Sequence, residues 1–212
     1  MSLFAARDLK LDAAEEMLKN HLQWREVNKI DVLLQGSPDS YFSKNYPYWL
    51  NGVNRKGSPV LCSPVGDWDI RKIVEEDRIK EFEDYVNRMY ERILECIRRY
   101  DERRDPDQPP ITKFTLILNW DGFSVRQTAN MKAIQTLLNI AATYEAHYPE
   151  ILDQAFFLNT NAVFQIVFAL MKPILAPRTL SKITCYGTDR SEWEPIVRSV
   201  VEEHQIPRQF GG

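Results

Sequence analysis

The sequence predicts an α/β domain built on a mostly parallel sheet that is flanked by helices. Short apolar runs bounded by turn residues have the length and composition of strands, at 59–62, 114–118, 155–158 and 182–186. Longer stretches, in which apolar residues recur every three or four positions, separate most of these runs and are typical of helices. Because strands that alternate with helices usually pair in parallel, we expect one largely parallel sheet.

The same periodicity predicts four main helices, at 12–25, 75–100, 127–145 and 191–204. Asp12 and Glu15 have the spacing of a capping box, which predicts that the first helix begins at Asp12. The charged, proline-rich segment 101–110 is interpreted as a solvated connection. The segment 36–59 is rich in glycine, proline and aromatic residues and is interpreted as a series of turns.

Composition limits the class of protein. The chain has 212 residues, of which 44% are hydrophobic and 27% charged, as in a globular domain. A net charge of −3 argues against nucleic acid as a partner, because proteins that bind the phosphate backbone usually carry a basic surface. Three widely spaced cysteines and an N-terminus without an apolar signal segment favour a cytosolic protein with reduced thiols.

Residues 162–171 are apolar on every side of a helix except at Gln165. Such a helix has no polar face that could be exposed to water, so it must contact the protein core or another apolar environment. Two interpretations stay open: a helix buried in the core, or a movable wall with a lipid on one side and a membrane on the other. The segment is too short to span a bilayer, which needs about 20 residues.

The sequence contains no recognisable catalytic or metal-binding pattern. There is no phosphate-binding loop of the form GxxxxGK[ST], and the segment from Gly122 to Arg126 lacks the second glycine of a nucleophile elbow. The three histidines lie far apart, without the spacing of a zinc site. We therefore expect a binding protein rather than an enzyme, with no metal and no cofactor.

Three polar residues are expected at one edge of the sheet. Glu150 precedes one predicted strand, while Thr179 and Lys182 precede the next. If these two strands pair in parallel, their amino-terminal ends lie at the same edge. The three side chains together suit a phosphorylated polyol, because Lys182 can bind phosphate and Glu150 can accept hydrogen bonds from hydroxyl groups. The alternative, a capping threonine beside a surface ion pair, stays open at this point.

Several short segments spread over almost the whole chain are informative as a set. They are ARDLKLDAAEEMLKNHLQWR (6–25), RKGSPV (55–60), DG (121–122), YPE (148–150), LN (158–159) before a phenylalanine-rich helix, KPIL (172–175), TLSKI (179–183) and IPRQFGG (206–212). Each is a weak match alone, but in this order they resemble the CRAL-TRIO (SEC-fourteen-like) family of lipid-binding proteins, which includes phosphatidylinositol/phosphatidylcholine transfer proteins and supernatant protein factor.

The resemblance implies a lipid cavity that is floored by the sheet and closed by a gate helix at 161–175, with the apolar residues Phe164, Val167, Phe168 and Met171. It implies a headgroup site formed by Arg7, Glu150, Thr179 and Lys182. It implies contacts between the ligand and the cavity residues Ser124, Arg126 and Phe157. It also implies that residues 1–25 are the remnant of an N-terminal helical segment and that residues 26–212 form the lipid-binding domain.

Two departures from the family's pattern concern the ligand. Asp8 stands where phosphoinositide-exchanging members often have a second basic residue, which weakens the case for an inositol phosphate. Arg126, if it points inward, disfavours a choline headgroup.

Three functions remain open at this stage. The first is a cytosolic, reversibly membrane-associated protein that holds one phospholipid, such as phosphatidylinositol or phosphatidylcholine, and exchanges it with membranes. The second is a carrier of a small isoprenoid, such as tocopherol, retinoid, squalene or carotenoid. The third is a lipid sensor that does not transport its ligand and instead regulates a protein partner, as part of a longer chain. In some relatives the lipid-binding domain is followed by a β-sandwich domain. The expected partners are a lipid and a membrane surface, without nucleic acid.

Overall fold

The central element of the protein is a five-stranded sheet. The computed structural model describes residues 11–37 and 39–210. The strands lie side by side in the order β1-β2-β3-β4-β5; β1 is antiparallel to β2, and all other neighbours are parallel. They are β1 (Trp49–Val53), β2 (Pro59–Ser63), β3 (Phe114–Asn119), β4 (Leu152–Leu158) and β5 (Ile183–Cys185). The prediction of an α/β domain with a mostly parallel sheet is therefore confirmed.

Helices cover both faces of this sheet. They are α1 (Leu11–Val27), α2 (Ser40–Asn45), α3 (Ile70–Glu75), α4 (Ile79–Arg103), α5 (Val125–Thr128), α6 (Met131–His147), α7 (Ala162–Met171), α8 (Pro177–Leu180) and α9 (Arg190–Val200). Short 3-10 helices lie at Ile30–Val32, Val65–Asp67, Glu203–Gln205 and Arg208–Phe210.

The strand register places two sets of side chains on opposite faces. Residues that alternate along a strand point to opposite sides of the sheet. One face carries the paired row Leu61, Leu116, Ala155 and Ile183, and belongs to the larger hydrophobic core together with α4 and α7. The other face carries the paired row Cys62, Ile117 and Phe156, which packs against Trp193 and Val197 of α9.

The long helix α4 follows the predicted apolar stripe. Phe82, Val86, Met89 and Ile93 recur every three or four residues, and all four are buried in the larger core. This helix begins at Ile79 rather than at the predicted residue 75, because α3 ends at Glu75 and a turn separates the two helices.

Several predicted boundaries are wrong. Residues 49–53, interpreted as turns, form the edge strand β1. Asp12 lies inside the first turn of α1 and is not its cap, because the helix already includes Leu11. The last main helix ends at Val200, four residues before the predicted end. It ends there because the Val200 carbonyl accepts a hydrogen bond from the backbone N–H of Arg55, and Asn54 bridges to Val201.

Helix α1 is fixed to the domain by an ionic contact. The guanidinium of Arg25 donates to both carboxylate oxygens of Glu91, at 2.9 and 3.2 Å. The hydroxyl of Tyr148 donates to the same carboxylate at 2.8 Å. Beside this contact Trp24 stacks on His147, with ring centroids 3.9 Å apart. Because Arg25 belongs to α1, Glu91 to α4 and Tyr148 directly follows α6, the network joins three elements.

Candidate functional site

An internal cavity lies between the sheet and the helices that cover its inner face. Its volume is about 150 Å³. Its floor includes the paired row Leu61, Leu116, Ala155 and Ile183, and its walls include residues of α4, α6 and α7. Ser63 and Thr179 supply the only serine or threonine hydroxyls among its lining residues. The Ser63 hydroxyl donates to the carbonyl of Pro47 at 3.0 Å. Most of the other lining side chains are aliphatic or aromatic, although the Tyr144 hydroxyl and the indole N–H groups of Trp68 and Trp120 have no hydrogen-bond partner among the described residues.

Helix α7 lies beside the cavity, which it lines through Met171, and starts at a well-defined cap. The side-chain oxygen of Asn161 accepts from the backbone N–H of Phe164 at 3.0 Å, and its amide group donates to the carbonyl of Phe123 at 2.6 Å. Phe164 then packs on Trp120, with ring centroids 4.6 Å apart. Phe157 of β4 contacts both Phe164 and Phe168 at 5.9 Å between ring centroids.

The two faces of α7 are both apolar. Phe164, Val167 and Phe168 are buried, whereas Ile166 is 67% exposed and Leu170 is 47% exposed. Met171 ends the helix and lines the cavity. In the described part of the chain, no helix is both long and apolar enough to cross a bilayer.

The predicted polar residues meet at the amino-terminal edge of the sheet. One carboxylate oxygen of Glu150 lies 3.5 Å from the ammonium of Lys182, and the other lies 3.2 Å from the guanidinium of Arg178. Thr179, between these two cations in sequence, is only 6% exposed and lines the cavity. The charged residues of this ionic cluster (Glu150, Arg178 and Lys182) therefore lie beside one end of the cavity.

Glu150 has an unusual backbone conformation. Its φ of 66° lies in the left-handed region, which residues other than glycine seldom adopt. Such strain persists only where the surrounding structure enforces it, and it is more frequent at functional sites. Here the strained residue directs its carboxylate toward the two cations.

The structure does not bring every expected site residue to the cavity. The guanidinium of Arg126 is 74% exposed and lies 3.5 Å from Asp69, so Arg126 does not line the cavity. Its place in the first turn of the surface helix α5 turns it outward. Ser124 is the N-cap of the same helix, where its backbone N–H and its hydroxyl donate to the side-chain oxygen of Gln127 at 2.8 and 2.6 Å, and it does not line the cavity either. Phe157 does line it, as expected. Arg7 lies outside the described residues.

Sequence reasoning missed much of the cavity wall. Tyr90 of α4 and Tyr144 of α6 line it, and burial raises the pKa of both phenols, which keeps them neutral. The apolar periodicity of each helix indicated that these residues are buried. The periodicity does not show, however, whether a buried residue faces a cavity or a packed core. Arg178, beside Thr179 in the sequence, contacts Glu150 and so adds a second cation to the cluster.

An apolar cavity on a mostly parallel sheet, with an ionic cluster at one end, is the kind of site that suits an amphiphilic molecule. A family model described as the CRAL/TRIO domain matches residues 43–212. The chain therefore belongs to the CRAL/TRIO family of lipid-binding and lipid-transfer domains.

Known proteins with the same domain are distant in sequence. Over its full length the chain is 26% identical to the protein real-time of Drosophila melanogaster, and it covers 32% of that protein. Over 98% of its length it is 24% identical to the phosphatidylinositol/phosphatidylcholine transfer protein SFH7 of Arabidopsis thaliana, of which it covers 37%. The chain thus spans about a third of the length of these curated relatives.

The crystal structure of Sfh5 has the same fold. It matches with a TM-score of 0.73 over 92% of this chain and 65% of that chain, at 18% sequence identity.

Proposed function

We propose that this domain holds one phospholipid, with its headgroup at the ionic cluster and its acyl chains in the apolar cavity, and exchanges it with membranes. The observation that carries this proposal is the position of Thr179, which lines the cavity while its neighbour Arg178 contacts Glu150. A ligand with a polar end and an apolar end matches this arrangement. Phosphatidylinositol and phosphatidylcholine fit the chemistry, and the name of the Arabidopsis relative supports the same ligands.

The charge of the cluster favours a phosphate group. Arg178 and Lys182 contribute two positive charges, and Glu150 contributes one negative charge, so a bound phosphate would gain a net attraction. Glu150 can also accept hydrogen bonds from the hydroxyl groups of an inositol ring. Arg126 points into solvent, so it does not oppose the binding of a phospholipid with a choline headgroup.

The main free-energy barrier to lipid transfer is expected during the passage of the acyl chains between the membrane and the cavity. Burying two long acyl chains is worth about 25 kcal/mol relative to water, at about 0.8 kcal/mol per methylene. A lipid in a bilayer already has the same stabilisation, so transfer between bilayer and cavity is nearly neutral in free energy. What must be lowered is the cost of exposing the chains on the way.

Helix α7 has the properties of a gate for this passage. The cavity is about the size of an engineered protein cavity that binds a single benzene molecule. A phospholipid is several times larger, so the wall must move to admit it. Because α7 exposes Ile166 and Leu170 in the closed state and buries Phe164 and Phe168, it can meet lipid with either face when it opens against a membrane. We expect such contact to be peripheral and reversible, at a cytosolic membrane surface.

A small isoprenoid is the second candidate ligand. The size of the closed cavity and its mostly apolar wall favour it, because a slender apolar molecule requires less widening. Such a ligand would leave the ionic cluster unused.

Filling the cavity tests the proposal. Ala155 lies in the middle of the floor, and Ala155→Phe should abolish the transfer of fluorescent phosphatidylinositol and phosphatidylcholine between vesicles. The exposed Ala142 on α6 provides the matched control, Ala142→Phe, which should transfer normally. Melting curves identify any loss of folding, since overpacking costs about 1–3 kcal/mol. A folded Ala155→Phe variant that transfers both lipids at the normal rate would refute a ligand in this cavity.

A further inference from the structure

A second concave surface lies at the amino-terminal edge of the sheet. We call it the edge groove. One wall is the turn 53–58 between β1 and β2, and the other is the segment 100–113 between α4 and β3. Its volume is about 670 Å³. None of its lining residues also lines the internal cavity. The edge groove is thus separate from the proposed lipid site.

The second wall is largely exposed, as predicted for the solvated connection at 101–110, and it is also ordered by hydrogen bonds. The guanidinium of Arg104 donates to the carboxylate of Asp101 at 2.7 Å and to the carbonyls of Asp105, Pro106 and Gln108 at 2.6–3.2 Å. Asp101 also accepts from the backbone N–H of Ile111 at 2.8 Å. These two hydrogen bonds lower the pKa of Asp101. The segment is folded around one arginine side chain.

The first wall is ordered as well. The side-chain oxygen of Asn54 accepts from the backbone N–H groups of Lys56 at 2.9 Å and Ser58 at 3.0 Å, and its amide group donates to Thr115 at 3.1 Å. Gly57 completes the turn with a φ of 81°. Because both walls are already formed, a ligand would bind without the cost of ordering them.

The edge groove is more positive than the protein as a whole. The chain has a net charge of −3. The groove, in contrast, is lined by four cationic side chains and two carboxylates: Lys56, Arg103, Arg104 and Lys113 against Asp105 and Asp153. Among the described residues, Arg103 and Lys113 have no ion-pair partner. Lys56 lies 3.5 Å from Asp153 but is 76% exposed, so this pair is weak and open to competition.

Apolar side chains form a large part of the remaining lining, beside the polar residues Ser58, Gln108 and Thr112, and this apolar part decides what kind of anion fits. It includes Val53, Tyr100, Pro109, Pro110 and Ile111. A free phosphate or a sugar phosphate would use the cations but would leave this apolar surface in water. An extended peptide with carboxylates and an aromatic or aliphatic residue would use both, since its acidic groups meet the cations while its apolar side chain packs against the prolines and Tyr100.

We propose that the edge groove binds an acidic peptide segment of a partner protein that carries at least one large apolar side chain. This inference does not depend on lipid binding, because the two sites share no residue. It identifies the face of the domain on which a protein partner is recognised.

Nuclear magnetic resonance titration tests the proposal with a defined probe, the synthetic peptide DEWEELD. Its addition to the isotope-labelled chain should shift the amide signals of 53–58 and 100–113 in a saturable way. The affinity should fall as salt is raised, because exposed charges are screened within about 10 Å at 0.1 M salt. The peptide DESEESD keeps the charge but lacks the apolar side chains, and it should bind about tenfold more weakly, as expected for the loss of about 1.4 kcal/mol of apolar burial.

A pair of double variants checks the location. Arg103→Gln/Lys113→Gln removes the two cations without ion-pair partners and should weaken DEWEELD binding about tenfold. Lys19→Gln/Lys44→Gln makes the same change of charge at exposed positions outside the groove and should have little effect. Three results would overturn the proposal: no saturable shift, shifts centred on 150 and 178–182 instead, or equal affinity for the two peptides, which would reduce the groove to a simple anion patch.

Discussion

The ammonium of Lys182 lies 3.5 Å from the carboxylate of Glu150 because β4 and β5 pair in parallel and begin at the same edge of the sheet. The backbone carbonyl of Lys182 accepts from the N–H of Ala155, which fixes this register. The contact between residues 32 positions apart in the chain is therefore a consequence of topology. It places a cation beside the cavity end that Thr179 lines.

Removal of this cation should weaken headgroup recognition. Lys182→Ala is expected to reduce phosphatidylinositol transfer about tenfold, since a charge-assisted hydrogen bond contributes about 1.5–3 kcal/mol. Binding of a purely apolar probe should be unchanged. The exposed Lys132 gives the control Lys132→Ala, which keeps full transfer. Unchanged phosphatidylinositol transfer by the Lys182 variant would refute the headgroup assignment.

The outer face of α7 should be required for membrane contact. Ile166→Asp is expected to slow vesicle docking and lipid exchange while leaving the stability within about 0.5 kcal/mol, because the side chain is 67% exposed. Phe168→Asp is unsuitable for this purpose, since Phe168 is buried and its replacement by a carboxylate would destabilise the fold.

The control for Ile166 is Val27→Asp, at an exposed apolar residue of α1. Vesicle co-sedimentation and transfer rates distinguish the two variants. Normal exchange by Ile166→Asp would exclude α7 as the membrane-contacting gate.

The ionic contact of α1 should contribute to stability. Arg25→Ala leaves Glu91 buried without its cation, and a loss of about 3 kcal/mol is expected in the free energy of unfolding measured with urea. In the double variant Arg25→Ala/Glu91→Gln, removal of the unpaired carboxylate should restore part of the lost free energy of unfolding. Arg92→Ala, in an exposed ion pair with Glu95, should cost less than about 1 kcal/mol. Equal effects of the two single variants would contradict the role of Arg25.

Acid should destabilise the domain through His147. Burial, and then the neighbouring His21, lowers the pKa of His147 to about 4, against 6.5 for a free histidine. The unfolded chain therefore binds a proton at His147 more tightly than the folded chain does. The stabilisation is fully present above pH 6.5 and is lost as the pH falls toward 4.

Urea unfolding between pH 4 and 7 measures this effect. His147→Gln should show a shallower loss of stability in acid than the unchanged protein. His204→Gln, at an exposed histidine, should show the same loss as the unchanged protein. A slope that does not change in His147→Gln would show that other groups cause the acid sensitivity.

The sequence predicted those parts of the molecule that depend on period and strand order. The stripe of α4 and the apolar segment 162–171 follow from local patterns, and both agree with the structure. The meeting of Glu150 with Lys182 follows from the expected parallel pairing of β4 and β5. The bounds 161–175 that the resemblance implied for the gate helix are too wide, because Asn161 is the N-cap and the helix ends at Met171.

Strand β1 was missed because Gly52 within it, and Pro47 and Gly57 close to its ends, favour turns in isolation. There the edge strand is stabilised by its pairing with β2.

The direction of individual side chains was not predictable in the same way. Arg126 turns outward because α5 presents it to solvent beside Asp69, and the sequence does not show this. The hydrogen bonds within the solvated segment 101–110 were not predicted either, because they join Arg104 to backbone carbonyls and leave no signal in the composition. The ligand contacts of the site residues and the division of the chain at residues 25 and 26 stay predictions.

Native mass spectrometry of the purified chain, followed by organic extraction, tests the central claim most directly. After incubation with vesicles of phosphatidylinositol and phosphatidylcholine, the account predicts one lipid molecule per chain and recovery of a phospholipid in the extract. Recovery of an isoprenoid from cell-derived protein would select the second candidate ligand. A chain that remains free of lipid under both conditions would contradict the claim that its cavity holds one.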